Sequence, residues 1–159
     1  MFGNIASNRQ IAAVGDFNGD GTSDILWRDE SGLLGEWLIS NGQIFGAPVI
    51  GNVASTRKIV GAGNFNGDGT SDIFWRDSNG AIGEFLISNG QVAAAPSLGT
   101  VASTRDIVGL GDFNSDGTAD VLWRDPATGL MGEWLLDTNG QIAQAPVIGV
   151  ATTDWQIII

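Results

Sequence analysis

A unit that repeats every 48 residues constrains this chain more than any other feature. "GDFNGDGTSDILWRD" begins at Gly15, "GNFNGDGTSDIFWRD" at Gly63 and "GDFNSDGTADVLWRD" at Gly111. Residues 11–58 align with residues 59–106 without a gap, and 31 of the 48 positions are identical, so the two segments must fold into equivalent units. A third unit starts at Ile107 and differs mainly by small insertions near Pro126–Thr128 and Asp137–Asn139. Self-similarity at a period of about 20–50 residues marks a repeat array, in which each unit buries its apolar face against its neighbours.

Within the first unit, "QIAAVG", "DILWR", "LLGEWLIS" and "IFGAPVIG" are four strand-length segments. Each is bounded by Gly, Asn, Asp or Pro, and Asn41-Gly42 is a strong hairpin signal. No window carries a helical apolar period over a helix-like length. Strands such as "DILWR" and "WLIS" do not alternate cleanly, which implies burial on both faces. Four-stranded antiparallel blades stacked face to face satisfy that requirement at about 40–50 residues each. The fold expected is therefore all-β, a β-propeller of three blades per chain: residues 3–58, 59–106 and 107–151. Residues 152–159, which include "TTDWQIII", match the first-strand region "SNRQIAAV" and are expected to form an extra closing strand.

Composition narrows the function. The absence of Cys and His removes thiol chemistry, zinc sites and every Ser-His or Cys-His arrangement. No segment approaches the ~18 apolar residues of a membrane span. With 18 acids against 7 bases the net charge is −11, which repels nucleic acid and favours cations.

The four-stranded units, the thrice-repeated Asp/Asn-x-Asn-x-Asp-Gly-x-x-Asp loop, the following "DILWRD" and the "GAP" at Gly46–Pro48 resemble FG-GAP/VCBS repeats. The resemblance covers nearly the whole chain and implies an integrin-like calcium-binding propeller, a fold that some relatives use as a lectin. The later units depart from it with "AAP" at Ala94–Pro96 and "QAP" at Gln144–Pro146, and the second loop opens on Asn64.

The repeated loop reads as a calcium site in its own right, because alternate residues of a tight loop can aim oxygens at one hard cation. Asp16, Asn18 and Asp20 occupy positions one, three and five, Thr22 offers a carbonyl at seven and Asp24 a carboxylate at nine. The second loop supplies Asn64, Asn66, Asp68, Thr70 and Asp72, and the third Asp112, Asn114, Asp116, Thr118 and Asp120. An EF-hand would carry Glu at position twelve, where this chain has Trp27. The resemblance implies the same ligand set. Three calcium ions per chain would bring the net charge from −11 to about −5. Site two, with two carboxylates, is expected to be weakest.

Trp27, Trp75 and Trp123, with Trp37, Phe85 and Trp134, are read as fillers between blades. Arg28, Arg76 and Arg124 are read as ion-pair partners of Glu36, Glu84 and Glu133. Catalysis is not expected, since most Asp residues are assigned to metal and the acids obey the repeat symmetry that an active site usually breaks. The function expected is a calcium-binding structural or binding module, with a lectin binding carbohydrate between blades as the alternative and a glycan or protein as ligand. Three blades cannot close a ring, so a head-to-tail homodimer of six blades is expected. Calcium dependence and family habit point to an extracellular or periplasmic location, although "MFGNIASNRQ" carries no leader signal.

Overall fold

A computed structural model describes residues 8–152. Among them there is no helix, and hence none long and apolar enough to cross a membrane. The chain forms three antiparallel sheets. The first contains β1 (Arg9–Gly15), β2 (Asp24–Asp29), β3 (Leu33–Ser40), β4 (Gln43–Gly46) and β5 (Val49–Asn52). The second contains β6 (Arg57–Gly63), β7 (Asp72–Asp77), β8 (Ala81–Ser88), β9 (Gln91–Ala94) and β10 (Ser97–Thr100). The third contains β11 (Asp106–Gly111), β12 (Asp120–Arg124), β13 (Leu130–Leu136), β14 (Ile142–Gln144) and β15 (Val147–Val150). All but the first residue of the expected closing strand, 152–159, lie outside the described residues.

The expected fourth strand of each unit is two strands. β4 pairs with the end of β3 and β5 with its start, and Ala47-Pro48 lies between them. Proline cannot donate to the ladder, so the strand breaks there. The Pro carbonyl stays in use: Glu36 N–H donates to Pro48 O at 3.0 Å, and Glu84 and Glu133 repeat the bond to Pro96 and Pro146.

Strands β1 and β6 lie against each other, as do β6 and β11, so the first strands of successive sheets form an inner row. The sheets then pack face to face. Leu26 and Leu34 of the first sheet meet Ile73, Trp75, Phe85 and Ile87 of the second. Phe74 and Ile82 of the second meet Val121, Trp123, Trp134 and Leu136 of the third. Each fully buried Leu or Phe contributes roughly 1.5–3 kcal/mol. This explains the unalternating strands: both faces of the middle sheet are covered.

The aromatics fill the sheets as expected, with a partner that the sequence reading missed. Trp75 and Phe85 stand 6.0 Å apart, as Trp27–Trp37 and Trp123–Trp134 do at 6.1 and 6.2 Å. Over the second-strand Trp of each pair lies an arginine that opens or directly precedes the first strand: Arg9 on Trp27 at 3.9 Å, Arg57 on Trp75 at 4.0 Å and Arg105 on Trp123 at 4.2 Å. Cross-strand from each Trp is a glycine whose missing Cβ makes room. A Cβ on Gly83 would strike the Trp75 ring and stand 2.5 Å from Pro96 O.

Candidate metal centre

Each acidic loop joins the first two strands of a sheet. In the first, Asp16 folds the loop onto itself: its Oδ1 accepts the N–H groups of Gly19 at 2.7 Å and Asp20 at 3.2 Å, and its Oδ2 accepts that of Gly21 at 2.8 Å. Asn18 Oδ1 accepts Asp20 N–H at 2.8 Å, and Asn18 Nδ2 donates to Asp20 Oδ2 at 3.2 Å. Asp112, Asn114 and Asp116 repeat the same bonds in the third loop. The turn needs left-handed residues at positions four and six, supplied by Gly19 and Gly21 at φ 76° and 84°. The third loop has Ser115 at φ 64° instead.

Position nine ties the loop to its sheet. Asp24, fully buried, accepts Phe17 N–H at 3.1 Å and Ile39 N–H at 2.7 Å, so one carboxylate ties the loop to the end of β3. Asp72 and Asp120 make the equivalent pairs. Thr22 contributes more than the expected carbonyl. Its hydroxyl lies 2.5 Å from Asp20 Oδ1 and 2.7 Å from Ile39 O, where its single proton can serve one acceptor at a time. Thr70 and Thr118 sit likewise against Asp68 and Asp116.

These environments divide the acids. Burial pushes the Asp24 and Asp120 carboxyls up, and Asp72 up to about 6, against their backbone donors. The Thr22 and Thr118 side chains hold Asp20 and Asp116 below the usual range. Asp68 is also lowered, its Thr70 bonds outweighing burial. Repulsion from Asp20 and Asp16 adds to the rise at Asp24, so the charges of positions one, five and nine are felt together.

The second loop lacks the Asp16 pattern. Asn64 turns its Nδ2 toward Gly117 O in the third loop at 3.4 Å, and its buried Oδ1 has no hydrogen-bond partner. Backbone bonds chain the loops together: Ser71 N–H donates to Asp16 O at 2.6 Å and Ala119 N–H to Asn64 O at 2.7 Å.

Among the described residues no three acidic side chains converge into a ready-made metal cage. What the loops offer is a hard, all-oxygen donor set and, at Asn64, an orphaned oxygen. That donor chemistry fits calcium and not a softer ion.

Among the described residues the expected pairs of Arg28 with Glu36 and of Arg76 with Glu84 do not form. Arg28 donates to the carbonyls of Arg57, Val53 and Ala54, bracing the start of the next sheet, and Arg76 does the same to Arg105 and Ala102. Glu36 and Glu84 are fully buried, and none of their four carboxylate oxygens has a hydrogen-bond partner. Burial raises Glu36 to about 7 and Glu84 to about 8, with repulsion from Asp24 and Asp72 in support. The arginines satisfy carbonyls because their forks reach the connection between sheets, which strand spacing alone does not reveal.

Three antiparallel sheets packed in series, inner strands in a row, define a β-propeller-like repeat module. The model of FG-GAP-like repeats matches residues 16–75 and again residues 64–123, so the chain belongs to that repeat family. A search of curated proteins finds no match.

Proposed function

We propose that this chain is a calcium-stabilised, non-catalytic binding or structural module. The observation that carries the reading is the loop that recurs three times with its hard oxygens held on local backbone turns. Asp16, Asn18, Asp20, Thr22 and Asp24 would hold one ion, and the corresponding residues of the other loops two more. Bound calcium would supply the charge neutralisation that lets three carboxylates lie beside an apolar core. An extracellular or periplasmic location accords with that requirement. Calorimetric titration of the calcium-free protein, with Asp20→Ala as comparison, tests the reading: heat at the wild-type loops and a calcium-dependent rise in Tm support it, and their absence refutes it.

The same reading includes self-association. Phe17 and Phe65 are fully covered by the following sheet, whereas the equivalent Phe113 is 43% exposed. A second copy presents the complementary face, and two chains head to tail give six sheets. Light scattering that finds only a 16.6 kDa monomer at micromolar concentration removes this part.

A lectin is the second reading, favoured by a cleft of about 600 Å³ between the second and third sheets, lined by Lys58, Arg76, Asp77, Asn79 and Asp106. A glycan array in calcium buffer separates it from a purely structural role.

A further inference from the structure

The cleft between the second and third sheets opens at the end of the strands away from the acidic loops, and there the repeat symmetry breaks. Between residues 11–58 and 59–106 the formal charge changes at three positions: Asp16/Asn64, Glu30/Ser78 and Lys58/Asp106. Ser78, Lys58 and Asp106 all line the cleft. The position that follows the stacking arginine is neutral in the first unit, positive in the second and negative in the third, as Gln10, Lys58 and Asp106. Since β6 and β11 are neighbours in the inner row, a cation stands on one wall of the cleft and an anion on the other. A single change of charge on a surface carries no message. Here they meet in one concavity of about 600 Å³, within the range of small-ligand sites. Most other polar groups of the cleft are engaged. Arg76 donates to the carbonyls of Arg105 and Ala102, and Asp77 accepts the Thr56 hydroxyl at 3.1 Å and lies 3.7 Å from Arg57 Nε. Lys58 and Asp106 differ: among the described residues neither side chain has an ion pair or a hydrogen bond, not even with the other. Val60 and Ile107, both packed against the core, give the cleft an apolar lining.

We propose that this cleft binds a small zwitterion, an α-amino acid or dipeptide with an apolar side chain. Its carboxylate meets Lys58, its ammonium meets Asp106, and its side chain lies against Val60 and Ile107. A neutral sugar can use the two groups only as hydrogen-bond partners, whereas a zwitterion answers both charges at once. The ligand thus differs in class from the glycan of the lectin reading, and its site shares no residue with the acidic loops.

The test is calorimetric titration with leucine and with glycyl-leucine, in wild type and in Lys58→Met and Asp106→Asn. At least one of the two ligands is expected to bind once per chain, and the tighter of them gives the length the cleft takes. Acetylating the amine or amidating the carboxylate should weaken binding about tenfold or more, the worth of one hydrogen bond to a charged group. Each variant should lose the same factor while keeping the wild-type Tm, since both side chains are exposed. No heat with either ligand at millimolar concentration overturns the proposal, as does an affinity that neither blocked end nor either variant changes. Binding of N-acetylglucosamine with both zwitterions silent overturns it too and leaves the lectin reading standing. Should the variants not fold, the blocked ligands on the wild type decide. Calcium titration reports on the loops separately, so failure there does not decide the cleft.

Discussion

Phe17, Phe65 and Phe113 hold the same place in three nearly identical loops, yet their surroundings differ, which makes a controlled experiment on sheet packing. Phe65 is fully buried and packs with Phe74 in the core shared by the second and third sheets, their rings 5.6 Å apart. Phe65→Ala should cost about 3–5 kcal/mol, the usual range for a buried Phe that leaves a cavity. Phe113 keeps 43% of its surface exposed. Phe113→Ala therefore removes little more than half the buried area and leaves an open notch instead of a cavity, so about 1–2 kcal/mol is expected in the monomer. Urea unfolding of both variants at low protein concentration, in calcium buffer, measures the difference. Repeating it where the wild type self-associates should widen the Phe113 effect toward that of Phe65, and sedimentation should show the variant staying monomeric. Equal costs in a monomer would refute the reasoning, because repeat identity would then outweigh the presence of a covering sheet.

Gly83→Ala should destabilise by about 2–3 kcal/mol through overpacking against Trp75, seen as a lower thermal midpoint with a changed tryptophan near-UV spectrum. Ser115→Gly should raise stability by about 1 kcal/mol, since it relieves a left-handed residue that the other two loops give to glycine. If the second loop holds calcium as proposed, Asn64→Asp should strengthen its binding, read as a shift in its titration midpoint, by adding a third carboxylate to that loop. In calcium-free buffer, Glu36 at about 7 and Glu84 at about 8 bind protons more tightly folded than unfolded, where the ordinary value is 4.5. Their contribution is thus fully present below pH 4.5 and is lost as pH rises through about 8, on the order of 5 kcal/mol for Glu84 alone. Chemical denaturation across that range checks the sign, and Glu84→Gln should flatten the slope.

What could be read from the chain was local or periodic. The 48-residue repeat announced equivalent sheets, and the loops were legible because the Asp16 carboxylate accepts from residues three to five positions ahead of it. The division of the last strand at Pro48 was written in the sequence too, through a residue that cannot donate, though the reading joined both halves. The surroundings of Arg28, Glu36 and Phe113 were not legible. Arg28 reaches carbonyls 25 to 29 residues away, and Glu36 faces a turn in the next sheet. Identical side chains at Phe65 and Phe113 end up buried and exposed because burial depends on whether another sheet lies opposite, a property of the packed array and not of the repeat. Sequence alone therefore determined the kind of unit and its hard-oxygen loops. Only the tertiary structure decided which charges lose their water without gaining a partner, because desolvation is set by neighbours distant along the chain.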